Sequence, residues 1–317
     1  MDHRPLCAVL IPHKNQADML DECLRALLRG LPPRTVALVV DDGSAPSQSL
    51  RHPHDDDPRV HLVRHPVSLG PAAARNTGID WCRARGIEIL VLLDSDCIPG
   101  DGFVEEHLAL HKKYGDIPCI GGAIRGTGKS LWARIDRVAS WFSSIPGSPM
   151  REVGAIYHIP TTNMSLNLNA LSLDGALFNP RLRTGEDVEF IHRIRSRGGR
   201  ALFSPTPVVV HRDRETLRTM LAHQYRWGVH TYVVRCGCGT RTGARAGAAM
   251  LFLPMFPLYV VVSSLLNLLP WVRVSARYGV YYPVLLALYA YKGIGVFHGI
   301  LSPNAALYPP SRAEGMH

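Results

Sequence analysis

The chain has 317 residues, 46% hydrophobic and 19% charged, which excludes an intrinsically disordered protein and allows one large domain with an appendage. A formal net charge of +9 points to a phosphorylated ligand or an anionic membrane surface, and without a dense Lys/Arg run interleaved with aromatics no nucleic acid is expected. Seven scattered cysteines exclude a disulfide framework. Cys236-Gly237-Cys238 lacks a second Cys/His pair at zinc spacing, so it reads as structural or incidental. The apolar run at residues 6–11 is too short for a signal-peptide core, and the first strand is expected to start in the cytoplasm.

Cys7-Ala8-Val9-Leu10-Ile11 predicts strand one, and Leu20, Cys23, Leu24, Leu27 and Leu28 then recur at helical spacing. Residues 36–40 predict a second strand ending in Asp41-Asp42-Gly43-Ser44. Residues 60–63 predict a third, followed by Gly70-Pro71 and a helix through Ala74, Ile79 and Cys82. Residues 87–93 predict a fourth, an unbroken apolar run ending in Asp94-Ser95-Asp96. Repeated βαβ units of this length call for a doubly wound, mostly parallel sheet with flanking helices. Both acidic clusters then fall at C-terminal strand ends, the edge where such sheets bind ligands.

Two carboxylates one residue apart repel each other unless a cation sits between them, and hard cations such as Mg²⁺ or Mn²⁺ favour carboxylate and phosphate oxygens. Asp-x-Asp alone reads equally as a solvated turn; its convergence with Asp41-Asp42 is what favours a metal–diphosphate site. The turn after strand one, Pro12-His13-Lys14-Asn15-Gln16, carries neither a dinucleotide fingerprint nor a phosphate-cradling lysine loop.

Beyond residue 117 the pattern is less regular. Residues 118–124 predict a strand, 130–142 a helix, and 201–203 and 208–210 two short strands, the second ending at His211. Gly185-Glu186-Asp187-Val188-Glu189-Phe190 opens a helix, where acids either cap the end or do chemistry. Residues 246–272 and 278–301 are apolar and each long enough to cross a bilayer, which takes about 20 residues. The second carries Lys292, His298 and three glycines, and Arg273 and Arg277 lie in the turn between them. Three arrangements fit: a spanning hairpin, an interfacial hairpin with those arginines at the cytoplasmic headgroups, or a packed helical subdomain. The expected organisation is a catalytic domain at 1–215, a helical linker at 216–245, an apolar membrane-associated helical hairpin at 246–301 and a flexible tail at 302–317.

Taken together, these residues resemble the family 2 inverting glycosyltransferases of the GT-A fold. The resemblance rests on Val9-Leu10-Ile11-Pro12-His13-Lys14-Asn15, Val40-Asp41-Asp42-Gly43-Ser44, Gly70-Pro71-Ala72-Ala73-Ala74-Arg75-Asn76, Asp94-Ser95-Asp96, and Phe178-Asn179-Pro180 ahead of Gly185-Glu186-Asp187. It implies transfer of one sugar from a nucleoside-diphosphate sugar, a UDP-sugar in the first instance, to an acceptor hydroxyl. Pro12, Asn15, Asp41, Asp42, Arg75, Asp94 and Ser95 would bind the donor. Asp96, with Asp94 and His211, would hold Mg²⁺ or Mn²⁺. Asp187, beside Glu186, would be the general base. His211 reads equally as a packing residue. The run Gln224-Tyr225-Arg226-Trp227 is one residue short of the Gln-x-x-Arg-Trp of processive synthases. Arg226 and Trp227 therefore either contact diphosphate and sugar or pack their helix, and single-sugar transfer is expected over polymerisation. The resemblance also implies a hexosyltransferase-type enzyme on the cytoplasmic membrane face, making glycan of the cell envelope from an unidentified hydroxyl acceptor. A sugar nucleotidyltransferase is the alternative enzyme class, and the turn at 12–16 lacks its signature.

Overall fold

The computed structural model describes residues 6–50, 54–154, 157–171, 175–236 and 242–308. The apolar runs of the first third lie side by side. β1 (Cys7–His13) sits between β2 (Thr35–Asp41) and β4 (Ile89–Leu93), with β3 (Val60–Arg64) beyond β2, and all three pairings are parallel. Because side chains alternate along a strand, Val9 and Ile11 face one side and Ala8 and Leu10 the other. Leu20, Cys23, Leu24 and Leu27 of α1 (Ala17–Arg29) cover the first set. Ala72, Ala74, Ile79 and Cys82 of α2 (Pro71–Arg83) cover the second. This is the doubly wound arrangement expected.

The second half inserts antiparallel partners into the same sheet. It contributes β5 (Cys97–Pro99), α3 (Phe103–Lys113), β6 (Cys119–Gly126), α4 (Leu131–Ser140), β7 (Arg151–Glu152), β8 (Asn163–Asn167), α5 (Glu186–Ser196) and β9 (Ala201–His211). The strand order is β3-β2-β1-β4-β8-β6-β9-β5, with β7 also on β9. β8 runs antiparallel to β4 and β6, while β6 and β9 are parallel. The two short strands expected at 201–203 and 208–210 are one strand, β9, despite Pro205 and Pro207. The register shift between Gly121 and Ala123 of β6 absorbs the prolines. There the Asn163 amide donates to the carbonyls of Ala123 (2.9 Å) and Pro207 (3.0 Å). Burial lowers the pKa of His107 to about 3, and its neutral ring donates from Nε2 to Asn163 Oδ1 at 2.9 Å.

Three helices finish the chain: α6 (Leu217–Cys236), α7 (Thr242–Val274) and α8 (Tyr282–Leu301). The span expected to be a linker is largely α6, which packs closely on α8. A Cβ at Gly295 would lie 2.4 Å from the Tyr225 carbonyl oxygen, and one at Gly299 2.1 Å from that of Val229. These glycines admit the backbone of α6, the close-approach use of Gly-x-x-x-Gly. At the other end Leu268, Trp271, Leu285 and Leu288 join Ile135 and Val138 of α4 in one core cluster. The outer side of α7 has no cover: Met250, Leu251, Leu253 and Leu258 are all more than half exposed.

The tail expected to be loose is ordered over 302–308. Ala306 and Leu307 are buried, Leu307 bridges to Leu182, and the Tyr308 N–H donates to the Arg181 carbonyl at 2.8 Å. Residues 309–317 and 237–241, which include Gly237 and Cys238, lie outside the described residues. Cys7, Cys23, Cys82, Cys97 and Cys119 are buried free thiols.

Candidate active site

The parallel strands β1, β2 and β4 direct their C-terminal loops to one edge, where a cleft of about 340 Å³ opens. Pro12, Asp42, Arg75, Asp94, Ser95 and Asp96 line it together, from four separate stretches of chain. His13, Lys14 and Gln16 line it too, and Gln16 Oε1 accepts from the Ser95 hydroxyl at 3.1 Å. Tyr308 supplies a wall that chain order gave no reason to expect. Its ring lies so near Gly70 that a Cβ there would stand 2.7 Å away, and Gly70 has φ +101°, where side chains are strained.

Two donor-binding expectations change. Asp41 is fully buried, accepting from the Ser44 N–H at 2.8 Å and from the Ser49 hydroxyl, so it shapes the loop and does not face the cleft. Asn15 sits outside the cleft with φ +54°, a conformation asparagine tolerates. Its N–H donates to Ser44 Oγ and its Oδ1 accepts from the Ala45 N–H, both at 2.9 Å, which ties the β1 turn to the β2 loop.

Asp42 faces the cleft with its acceptor sites filled. Oδ1 accepts from His65 Nδ1 and the Leu69 N–H, both at 2.8 Å. Oδ2 accepts from Ser68 Oγ at 2.6 Å and the Gly70 N–H at 2.9 Å. Burial pushes its pKa up, but the bonds from His65, Ser68 and the two amides outweigh that and hold it down to about 2.

Arg75 joins the acids of two distant elements. Its Nη2 donates to Asp94 Oδ1 at 2.9 Å and its Nη1 to Glu186 Oε1 at 2.5 Å, and the whole side chain is buried. Thr162 Oγ1 donates to the other oxygen of Asp94 at 2.8 Å. The next residue, Asn76, clamps the 178 segment: Nδ2 donates to the Phe178 carbonyl at 2.7 Å and Oδ1 accepts its N–H at 2.9 Å. Phe178 in turn packs on Phe190 of α5 at 4.8 Å. Adjacent residues of α2 thus position the start of α5 through charge and through backbone.

At that start, burial raises the pKa of Glu186 against the pull of Arg75. Asp187 accepts the Val188 N–H at 2.8 Å, and its other oxygen lies 3.8 Å from His158 Nε2. Burial pushes Asp187 up to about 6, with the Val188 amide and Arg75 opposing. Burial also lowers His158 to about 3, so its ring is neutral beside Asp187. A carboxylate with a pKa near 6 is ionised at neutral pH yet basic enough to take a proton. Asp187 does not line the cleft itself; Glu186 and Arg75 connect it to the lining.

For a cation, Asp96 and His211 are the donors in place. β5 pairs Cys97 with His211, and this brings His211 Nε2 to 3.7 Å from Asp96 Oδ2. His211 Nδ1 is buried without a hydrogen-bond partner among the described residues, and the ring also packs edge-on against Trp141 at 4.9 Å, so both readings of His211 have support. One carboxylate oxygen and one imidazole nitrogen suit Mn²⁺. Among the described residues no cluster of three or more such side chains forms a complete cage, so a bound diphosphate would have to supply further oxygens. Asp94, engaged by Arg75 and Thr162, is the less available member of Asp94-Ser95-Asp96.

Arg226 and Trp227 stand apart from the cleft on α6. Arg226 is exposed and donates to its own helix at Ala222, 3.3 Å away. Trp227 packs on the His223 ring at 4.2 Å and under the Lys292 ammonium at 5.4 Å. Of their two readings, helix packing describes Trp227.

A family model described as Glycosyl transferase family 2 matches residues 8–170. The Pre-mycofactocin glycosyltransferase of Mycobacterium tuberculosis is 30% identical over 71% of this chain and 46% of that protein. Glycosyltransferase AglE of Haloferax volcanii is 26% identical over 71% of this chain and 72% of its own length. The chain thus spans about half the length of the first of these relatives and most of the second. Among solved structures, the mannosyltransferase PcManGT from Pyrobaculum calidifontis, in complex with GDP-Man and Mn²⁺, aligns over 100% of this chain and 89% of that one. Its TM-score is 0.55 at 17% identity. GalNAc-T7 with UDP, GalNAc and Mn²⁺ aligns over 68% of this chain and 45% of that one, with TM-score 0.50 and 17% identity. At such identities the likeness shows the fold.

Proposed function

The chain belongs to glycosyl transferase family 2, and from that we propose an inverting, cation-assisted enzyme that moves one sugar from a nucleoside-diphosphate sugar to an acceptor hydroxyl, with Asp187 as general base. The family removes the nucleotidyltransferase alternative. The observation that carries the reading is the Asp94–Arg75–Glu186 link, which couples the cleft to the acids of α5. In the reaction the acceptor oxygen bonds to the anomeric carbon as its proton passes to Asp187. The bond from that carbon to the diphosphate breaks, and its electron pair leaves with the nucleotide. A single displacement inverts the carbon and needs no enzyme nucleophile. Asp96 and His211 would hold Mg²⁺ or Mn²⁺, which supplies positive charge against the departing phosphate. Asp42 pins the 65–70 loop that carries Gly70, and Arg75 holds Asp94 and Glu186 in place through its two guanidinium bonds. A UDP-sugar is the first donor to test, and GDP-Man, bound in a structural neighbour, is the second.

Asp187→Asn is expected to lower transfer by at least about 10²-fold while donor binding by calorimetry persists. For the native enzyme, the rate should fall as pH drops through about 6, where Asp187 takes up its proton. Equal loss of donor binding in the variant would assign Asp187 a structural role.

We also infer that the hairpin associates with the cytoplasmic membrane face. α7 and α8 are long and apolar enough to cross a bilayer. Yet α8 is held against α6 and α4 and exposes only a few apolar side chains such as Ile294 and Leu301, while α7 turns the longer apolar face outward, which favours a hairpin lying in the interface. Leu251→Glu with Leu258→Glu should reduce flotation with vesicles. Unchanged flotation would overturn the α7 contact.

A further inference from the structure

A second cavity, of about 350 Å³, shares no lining residue with the cleft. Val188, Ile191, His192 and Arg195 form one wall, spaced by three, one and three residues along a single face of α5. Val234 and Arg235 of α6 line it as well, together with Tyr157. The lining holds two guanidinium groups and no carboxylate. Arg193, off this face, is paired with Glu189 at 3.2 Å. Arg195 Nη1, by contrast, is buried and has no hydrogen-bond partner among the described residues. A buried, unpaired guanidinium N–H is an unfavourable arrangement unless an anion completes it. Val188, Ile191 and Val234 give the lining an apolar part, beside the polar groups of Tyr157, His192 and Ser196.

The cavity lies next to the proposed base along α5, although Asp187 does not itself line it. Asp187 immediately precedes Val188 and lies one helical turn before Ile191, on the same edge of α5. Its neighbour His158 follows Tyr157. Arg195 comes eight residues after Asp187, about 12 Å along the axis at the rise of an α-helix. We propose that this cavity is the acceptor subsite, and that the acceptor carries a phosphate or carboxylate, held by Arg195 and Arg235, about 12 Å from the hydroxyl that attacks. An apolar portion of the acceptor lies between, on Val188, Ile191 and Val234. This assignment rests on Asp187 as the base. The anion belongs either to a lipid headgroup or to a soluble molecule, and the chemistry that recognises it is the same.

Phenyl phosphate, an anion with a small apolar body, is the probe. It is titrated by calorimetry into the full chain, with UDP and Mn²⁺ at saturation so that the donor cleft is closed to it. Saturable binding is expected, weakened about tenfold in Arg195→Gln and largely restored in Arg195→Lys. A melting temperature close to that of the native protein shows that the variants are folded. Absence of binding under these conditions overturns the subsite, as does equal binding by native protein and Arg195→Gln. Binding seen only without UDP places the probe in the donor cleft and also overturns it. Binding of the probe does not require Asp187 to act as a base, so this result and that of Asp187→Asn stand or fall separately. Once probe binding is established, flotation with phosphatidylglycerol and phosphatidylcholine vesicles assigns the source. A preference for phosphatidylglycerol that Arg195→Gln abolishes identifies a lipid headgroup, and a preference unchanged by the substitution identifies a soluble anion.

Discussion

The corner after β2 and the start of α5 hold their carboxylates in opposite ways. At the corner, Asp42 meets four donors and is held down to about 2. At α5, Asp187 meets one backbone amide and a neutral imidazole, and burial pushes it up to about 6. Saturation with donors makes a carboxylate rigid and inert towards protons, which suits a wall. Burial with few donors makes it basic, which suits a proton acceptor. Among the described residues both sides keep unsatisfied buried polar atoms, Arg75 Nε and His13 Nδ1 at the cleft and Arg195 Nη1 at the second cavity, so the contrast lies in the two carboxylates themselves.

The contrast depends most on Arg75, because it joins the two regions. Arg75→Ala strands Asp94 and Glu186 near each other without a cation, and about 3–5 kcal/mol of stability should be lost. Denaturant unfolding measures this, and a change below about 1 kcal/mol would show that the two regions are held together by other contacts. Asp42→Asn turns an amide donor towards N–H and O–H donors, a loss of about 2 kcal/mol. The native carboxylate's contribution is fully present above its unfolded range near pH 4 and is lost as pH falls through about 2, because its folded pKa is depressed. The variant should therefore show a flatter loss of stability between those limits. The smallest effect tests the uncommitted acid of the cleft. Asp96→Ala should weaken Mn²⁺-dependent UDP binding about tenfold and leave the cation-independent part in place. Identical titrations with and without Mn²⁺ in the native protein would remove the cation from the cleft.

The first half was readable because its signals are local. The run at 89–93 is apolar enough to be buried on both faces, and Leu20, Cys23, Leu24 and Leu27 mark one side of a helix within eight residues. Elements decided at long range were not. β5 is three residues long and exists through its pairing with 209–211. α3 turns His107 and His111 inward, so its core face lacks an apolar pattern until Asn163 and Ser165 are seen to receive them. Pro205 and Pro207 lie between the two short strands expected at 201–203 and 208–210, where residues 204–207 of β9 bulge out of the pairing with β6. Of the acids singled out by residue type, Asp42, Asp94 and Asp96 line one cleft, but Asp41 and Asp42 are neighbours with different orientations. Only the loop at 65–70 shows which one faces the cleft. The chain does not single out Gln16, Thr162 or His158, since each acts by reaching a distant partner, and Asn76 stands in a matched motif without an assigned role.

Tyr308 follows α8 by seven residues and closes one side of the cleft proposed for the donor. A fragment cut before the hairpin would therefore not be a catalytic domain released from its anchor. It would be an enzyme missing part of its own binding surface, and weak donor affinity in such a fragment would measure that damage. Purification needs to carry the apolar helices along, because the segment proposed to meet lipid leads directly into the segment that finishes the cleft.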